Sequence, residues 1–232
     1  MTRPPEPRST ARQLRLSLQR PADHSRAAYV EGPSNAIAVA ALDAWPVWHG
    51  GTLALVGPTG AGKTHLAQAW AEAAGAAIVE RARPDIQAAE GRPVLIEDVD
   101  QGAPDEAVFH LINMAARQGG GLLLTARTPP AAWAAGLPDL RSRLNALPVA
   151  IIEAPCDVVL TAVLRKLFRE RSIRPKDDVY PYLLSRMERS IDAAREIVRR
   201  LDEAGDAAGR SISRVLARQI LEGHSQNLDL FE

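Results

Sequence analysis

The feature that most constrains this chain is a glycine-rich segment made of Gly57, Pro58, Thr59, Gly60, Ala61, Gly62, Lys63 and Thr64. It matches the pattern G-x-x-x-x-G-K-[ST] in every fixed position. The apolar residues 52–56 before it predict a buried strand, and residues 63–74 after it predict a helix. The order of strand, glycine-rich turn and helix therefore predicts an α/β unit around this segment.

The same segment has the chemistry of a phosphate-binding loop. Small residues let the backbone curl so that its N–H groups point at phosphate oxygens, and the helix N-terminus adds positive potential. In this pattern Lys63 reaches the terminal phosphates and the Thr64 hydroxyl binds Mg²⁺. We therefore expect residues 57–64 to bind ATP or ADP with Mg²⁺. A glycine turn that binds nothing is the alternative, and the match in pattern and context makes it the weaker one.

A second segment, residues 94–98, is an apolar strand that ends in the carboxylates Glu97 and Asp98. Such a strand places its acids beside the metal of a phosphate loop. We expect one of the two to hold the magnesium shell and the other to orient water. The alternative is a strand end with solvated acids.

The remaining pattern predicts the fold class. Strands are predicted at 52–56, 77–79, 93–96, 121–125 and 148–152, and helices at 35–45, 63–74 and 104–117. This alternation indicates an α/β fold, a parallel sheet between helices. After residue 157 only helices are predicted, at 157–171, 176–187, 190–204 and 211–222. The expected organisation is a flexible tail (1–30), an α/β domain (31–155), a small helical lid domain (156–223) and a C-terminal tail (224–232).

Composition excludes several classes of protein. Lys+Arg and Asp+Glu both number 28, and this balance is not typical of a protein that coats DNA. The single cysteine, Cys156, fits a reducing compartment. No run has the length of a membrane span, and the N-terminus lacks the apolar stretch of a secretory signal. We expect a cytoplasmic protein with no membrane contact.

Three further segments resemble the DnaA branch of the AAA+ family. They are residues 29–35, residues 122–125 followed by Pro129 and Pro130, and residues 137–144. The resemblance covers roughly residues 29–221 and implies an AAA+ P-loop core with a helical lid. It also implies that Asn35 and Thr125 lie at the nucleotide, that Asp98 takes part in catalysis, and that Arg143 is an arginine finger acting on another subunit. A surface arginine paired with Asp139 is the alternative for Arg143.

The N-terminal tail contains the alternating sequence of residues 13–18, in which Gln13, Leu14, Leu16 and Leu18 resemble the peptide that docks bacterial proteins onto the polymerase sliding clamp. An extended peptide of this kind places alternate leucines in separate pockets. A chance alternation or a strand edge is the alternative. Residues 226–231 resemble the peptide only loosely, and a tail without this role is the better interpretation.

A DnaA-like core, a clamp peptide and no residues left for a DNA-binding domain together resemble the regulatory members of the DnaA/Hda family. The resemblance implies a clamp-tethered protein that promotes hydrolysis of DnaA-bound ATP and represses re-initiation of replication. Its implied partners are DnaA, the clamp (β subunit), DNA through the clamp, and a second copy of itself. An autonomous AAA+ ATPase of the helicase-loader type is the alternative function.

Three positions depart from the DnaA pattern. Asp192 stands where the lid carries an arginine that touches the nucleotide, and Arg195 is the candidate replacement. Glu97 stands where DnaA has Asp, and Arg127 stands where the family often has an acid. These changes favour a regulator with weak or no ATPase activity of its own.

Overall fold

The computed structural model describes residues 23–87, 89–117, 120–208 and 212–228. The predicted clamp peptide at 13–18 lies outside these ranges. Five parallel strands form one sheet in the order β2-β3-β4-β1-β5. Their bounds are β1 Thr52–Val56, β2 Ala77–Val79, β3 Val94–Ile96, β4 Leu122–Ala126 and β5 Val149–Ile151.

Eight α-helices accompany the sheet in the described ranges. They are α1 Ala36–Asp43, α2 Lys63–Ala74, α3 Asp105–Ala115, α4 Pro138–Ala146, α5 Asp157–Glu170, α6 Val179–Leu184, α7 Ile191–Ala208 and α8 Arg214–Leu228. Short 3₁₀ helices occur at Arg26–Ala28, His49–Gly51, Val99–Gln101 and Pro130–Ala132. None of these helices combines the length and the apolar character that a membrane span requires.

The central strands are buried along their whole length because helices cover both faces of the sheet. All five residues of β1 and of β4 are buried. Successive strand residues point to opposite faces, so Leu95 and Leu123 join one core cluster with α1 and α2. Their neighbours Ile96 and Leu124 join another cluster with α3 and α4. These two apolar layers hold the sheet in place. The carboxyl ends of its strands therefore provide fixed positions for the residues that follow them.

The helices after β5 have a core of their own. Leu160 and Leu164 of α5, Val198 and Leu201 of α7, and Leu183 of α6 are fully buried in it. The predicted architecture, a parallel α/β sheet followed by a helical part, is confirmed.

Two predicted boundaries differ from the structure. Helix α8 runs to Leu228, past the predicted end of the lid at residue 223. The predicted tail extends to residue 30, whereas residues 26–28 form a 3₁₀ helix and Val30 packs against the core of the helical part. Contacts with distant helices order this stretch, and such contacts leave no periodic pattern in so short a segment.

Candidate nucleotide-binding site

A cavity of about 390 Å³ opens between the carboxyl ends of the strands and the helical part. Its floor is formed by the stretch of residues 57–65, of which residues 59–65 line the cavity together with Asp98 and Arg127. Its roof is made of residues 23–35 and helices α5 and α7. Ligand sites in open α/β sheets occur at this end of the strands, where connections leave for opposite faces. The sheet and the lid therefore meet at the predicted phosphate loop.

The loop between β1 and α2 has the backbone conformation that its glycines allow. Gly60 has φ +72° and Gly62 has φ +99°, values that residues with a Cβ rarely adopt. Helix α2 begins immediately afterwards, at Lys63. The N-terminal N–H groups of α2 consequently lie at the cavity and have no partner within the helix, an arrangement that suits an anion.

Lys63 is held inside the loop that precedes it. Its Nζ donates to the carbonyl oxygens of Gly57, at 2.8 Å, and Pro58, at 3.0 Å. Desolvation lowers the pKa of this ammonium group, which belongs to a residue that is 8% exposed. Thr64 follows and lines the same cavity. Lys63 and Thr64, the two residues predicted to contact the phosphates and Mg²⁺, therefore both line the cavity.

The two acids after β3 have different surroundings. Asp98 lines the cavity, and its backbone N–H donates to the Thr125 hydroxyl at 2.9 Å. Glu97 accepts a 3.5 Å hydrogen bond from Gln68 through Oε2, while its Oε1 is buried without a partner among the described residues. Thr125 is 1% exposed and does not line the cavity. Thr125 fixes the backbone at Asp98, and its place at the nucleotide stays a prediction.

Aromatic and imidazole rings form part of the roof. His24 stacks on His65 with centroids 5.3 Å apart, and Tyr29 meets His65 edge-on at 5.2 Å. The Nε2 atom of His65 lies 2.9 Å from the Ser25 carbonyl oxygen, which only accepts, so this nitrogen carries the proton. His65 thus joins the first turn of α2 to residues 24–29.

The roof is apolar enough to shift two pKa values. Burial raises the pKa of Tyr29 to about 12. Burial also lowers the pKa of His65, and the neighbouring charges of His24, Lys166 and Arg195 add to that shift. The Tyr29 hydroxyl and Nδ1 of His24 are buried without a partner among the described residues. The aromatic and imidazole rings of Tyr29, His24 and His65 beside the cavity suit a flat heterocyclic ligand.

Asn35 lines the cavity, but its amide is committed to its own loop. Its Oδ1 accepts from the Gly32 N–H at 2.8 Å, and its Nδ2 donates to the Val30 carbonyl at 2.9 Å. Asn35 therefore shapes the loop that faces the cavity, and its contact with a nucleotide stays a prediction.

The lid is fastened directly to the phosphate loop. The Ile191 N–H, at the start of α7, donates to the Gly60 carbonyl at 2.8 Å. Ser190 caps the same helix by accepting from the Ala193 N–H at 3.0 Å. Arg195, one turn into α7, lines the cavity and pairs with Asp192 at 3.8 Å. Both lid residues singled out from the sequence thus lie at the cavity.

Comparison with solved structures identifies the architecture. No protein-family model matches the chain. The chain is similar to domain III of the replication initiation protein DnaA from Thermotoga maritima, with a TM-score of 0.71, 18% identity, and coverage of 87% of this chain and 96% of that one. It is also similar to AMPPCP-bound DnaA from Aquifex aeolicus (TM-score 0.64, 18% identity, 79% and 66% covered). A structure of a RuvB variant from Thermotoga maritima gives a TM-score of 0.62 at 16% identity, with 81% and 65% covered.

The chain has the AAA+ P-loop NTPase fold. At 16–18% identity these similarities establish the fold alone. The parallel five-stranded sheet with flanking helices matches this fold, and a helical part follows the sheet.

Arg143 lies outside the cavity. It is exposed on α4, and its guanidinium carbon is 5.2 Å from the centroid of the Phe109 ring on α3. Among the described residues no acidic side chain forms an ion pair with it, so the alternative pairing with Asp139 is not formed. Arg143 is therefore exposed on α4, away from the phosphate loop of its own chain.

Sequence reasoning assigned no site role to His24, His65 or Lys166. Lys166 of α5 lines the cavity and donates to the Ala28 carbonyl at 2.6 Å. His65 was findable, because it follows Thr64 directly and must lie in the first turn of α2. The other two come from segments far apart in sequence, and no spacing rule brings them together.

Proposed function

We propose that this protein is a clamp-tethered regulator of the DnaA/Hda type, which binds ADP or ATP with Mg²⁺ and promotes hydrolysis of DnaA-bound ATP. The observation that carries this proposal is the separation of two elements. One is a complete phosphate loop inside a cavity. The other is Arg143, which is exposed on α4 and forms no ion pair with the acidic side chains of the described residues.

Nucleotide binding is supported by the floor of the cavity. Lys63 and the N–H groups at the start of α2 present positive charge to a phosphate chain. Thr64, Glu97 and Asp98 supply the hydroxyl and carboxylate oxygens that Mg²⁺ prefers, and the buried, unpaired Oε1 of Glu97 fits a place near a metal or its water. Magnesium would neutralise charge on the phosphates. The nucleotide analogue AMPPCP is bound in the similar DnaA from Aquifex aeolicus.

The surroundings of Arg143 support its role as an arginine finger. The Phe109 ring attracts the guanidinium through its π face, and this contact leaves the charge and the N–H donors available. A carboxylate partner would have neutralised the charge of Arg143 and occupied its N–H donors. In other systems an arginine supplied by a partner accelerates phosphoryl transfer by about 10³ to 10⁵. Here Asp98 would act on the nucleotide bound by this protein, and Arg143 would act on the nucleotide bound by DnaA.

Weak intrinsic hydrolysis is part of the same proposal. The lid places Asp192 beside the cavity, and the nearby Arg195 is partly neutralised by it at 3.8 Å. A carboxylate near the phosphate chain opposes the charge that develops during transfer. The nucleotide of this protein then acts mainly to hold the lid in place.

Tethering would come from Gln13, Leu14, Leu16 and Leu18, which resemble the clamp-docking peptide. DNA contact would be indirect, through the clamp, and ADP-bound DnaA would fail to re-initiate replication. We place the protein in the bacterial cytoplasm at the replisome, and a second copy of the chain is a further candidate partner.

Phosphate release from ATP-loaded DnaA, with clamp loaded on DNA, tests the proposal. We expect the parent protein to stimulate release and Arg143→Ala to lose most of that stimulation. Arg141→Ala is the matched control on the same helix, because its side chain donates to the Ala135 carbonyl at 2.7 Å. A variant with Gln13, Leu14 and Leu16 changed to alanine should lose clamp binding and stimulation together.

The complete floor of the cavity also supports an autonomous ATPase of the helicase-loader type. That function would be established if the protein hydrolysed ATP alone at a rate abolished by Lys63→Ala, and if neither the parent nor any variant affected DnaA. Unchanged clamp binding by the peptide variant would remove the tethering part of the proposal.

A further inference from the structure

Two arginines of the helical part lie against the ring of one tyrosine, Tyr182 of α6. The guanidinium carbon of Arg186, just beyond α6, is 4.3 Å from the centroid of this ring. That of Arg214, the first residue of α8, is 5.1 Å from the same centroid. Tyr182 is 7% exposed and belongs to the core of the helical part, whereas both arginines are exposed. The ring therefore holds two positive charges close together at the surface of the lid.

Arg186 and Arg214 keep their charge. Among the described residues no acidic side chain forms an ion pair with either of them. Arg186 donates to the Ser185 hydroxyl at 2.8 Å, and a hydroxyl leaves the positive charge in place. An aromatic ring attracts a guanidinium through its π face, so the N–H groups around the guanidinium plane stay available.

Other arginines of the lid are held in a different way. Arg199 of α7 pairs with Glu196 and Glu203, at 2.6 Å each. Arg218, one turn after the start of α8, pairs with Glu222 at 2.7 Å. Carboxylates of the chain neutralise these two arginines. The pair on Tyr182 instead raises the local positive potential, which favours an anion from outside the chain.

The chemistry of the pair suits phosphate groups. A planar guanidinium bonds two phosphate oxygens at once, and two arginines from separate helices can bond successive phosphates of one backbone. Proteins hold single strands by stacking bases on exposed aromatic rings, and the covered ring of Tyr182 is not open to a base. Tyr182, Arg186 and Arg214 do not line the nucleotide cavity. The pair therefore fits the backbone of a duplex and lies apart from the nucleotide site.

We propose that Arg186 and Arg214 bind the phosphate backbone of duplex DNA, so that the lid directly contacts the DNA on which the clamp is loaded. The choice of DNA as the polyanion rests on the proposed function, which places the protein beside DNA. Phosphate contacts carry no sequence information, and they set the orientation of a protein on the duplex. The clamp peptide supplies the tether, and the lid contact limits how the tethered module turns about it.

Fluorescence anisotropy of a labelled duplex of mixed sequence, without clamp or DnaA, tests the proposal. We expect the parent protein to bind with a Kd of about 10⁻⁶ to 10⁻⁴ M, and to bind more weakly as salt rises. Changing both arginines to glutamine should weaken binding by about tenfold or more and reduce the slope of log K against log[salt] by about 2, since two phosphate contacts are lost. Lysine at both positions should keep the slope and recover part of the affinity.

Arg199→Gln is the matched control, because its charge is already neutralised by two glutamates. It should leave DNA affinity unchanged. ADP binding should be as in the parent in every variant, which shows that each one is folded. A parent protein that does not bind the duplex, or equal losses in Arg199→Gln and the double glutamine variant, would overturn the proposal.

Polyglutamate separates DNA from an acidic protein partner. If it bound as tightly as the duplex and lost the same affinity in the double glutamine variant, the two arginines would form a site for acidic protein segments, and the DNA proposal would be overturned. The anisotropy assay contains neither clamp nor DnaA. Its result is therefore independent of the phosphate-release assay, and failure in one assay leaves the inference tested by the other intact.

Discussion

The floor and the roof of the cavity are built in different ways. The floor comes mainly from one continuous stretch, residues 57–65, whose shape is set by the strand before it, the helix after it and the glycines between. The roof comes from three separate parts of the chain. Its hydrogen bonds span long distances in sequence, and the Lys166–Ala28 bond joins residues 138 positions apart.

This difference has a physical consequence. A floor made from one segment keeps its shape when the lid moves, because its bonds are local. The part of the roof made by α5 and α7 depends on how the lid lies against the floor, and the Gly60–Ile191 hydrogen bond is a joint between the two. Nucleotide affinity should therefore depend on this joint and on the roof as well as on the phosphate loop.

The largest effect is expected at the joint itself. A Cβ on Gly60 would lie 2.5 Å from the Cβ of Ser190, and the φ of +72° disfavours any residue with a Cβ. We expect Gly60→Ala to lower the free energy of unfolding by about 2–4 kcal/mol, through backbone strain and overpacking together. Urea unfolding measures this loss, and calorimetry should show weaker ADP binding.

Gly91→Ala separates the two causes. Gly91 has φ +73°, yet nothing lies within 4 Å of the carbon that alanine would add. This variant carries the backbone strain alone, so it should cost about 1–2 kcal/mol and leave ADP affinity unchanged. Equal stability losses in the two variants would mean that the contact between floor and lid contributes nothing.

A smaller effect is expected at the cap of α7. Ser190 accepts a hydrogen bond from the Ala193 N–H, and its removal leaves a helix N-terminus uncapped at the phosphate loop. Ser190→Ala should lower the free energy of unfolding by about 1 kcal/mol. Since the same helix binds Gly60, ADP affinity should also fall, by about three- to tenfold.

Ser213 offers the matched control for this second test. It accepts from the Leu216 N–H at 3.4 Å at the start of α8, and it does not line the cavity. Ser213→Ala should cost no more stability than Ser190→Ala and leave ADP affinity unchanged. If the two variants bound ADP equally well, the lid would not contribute to the site through α7.

The floor was predictable because its requirements are local. The strand predicted at 52–56 and the helix predicted at 63–74 coincide with β1 and α2. A loop that must present its N–H groups to an anion needs small residues at fixed spacing, and this need is visible in the letters of the sequence. The α/β fold with a helical lid was predictable for the related reason that apolar periodicity records burial.

The roles of single side chains beyond the loop were less predictable. Asn35 lines the cavity, and its amide also bonds its own loop, a contact that the sequence did not predict. Thr125 is buried and holds the backbone of Asp98, which the sequence did not predict either. An amide or a hydroxyl can bond either the protein backbone or a ligand. Only the packing of distant segments decides which of these two roles each side chain takes.

The smallest expected effect tests whether the roof contributes to affinity. Lys166 donates to the Ala28 carbonyl at 2.6 Å and so holds the segment with Tyr29 over the cavity. Lys166→Met keeps an unbranched apolar stem and removes this bond, so ADP affinity should fall by about two- to fivefold in calorimetry.

The matched control for this last test is Lys176→Met, since Lys176 is exposed and outside the cavity. It should leave ADP affinity as in the parent. A loss confined to Lys166→Met would show that Lys166, which lines the cavity and bonds the Ala28 carbonyl, contributes to nucleotide binding. If both variants bound ADP with the affinity of the parent, the floor alone would bind the nucleotide. Floor and roof would then differ in how they are built, and the roof would add nothing to ADP affinity.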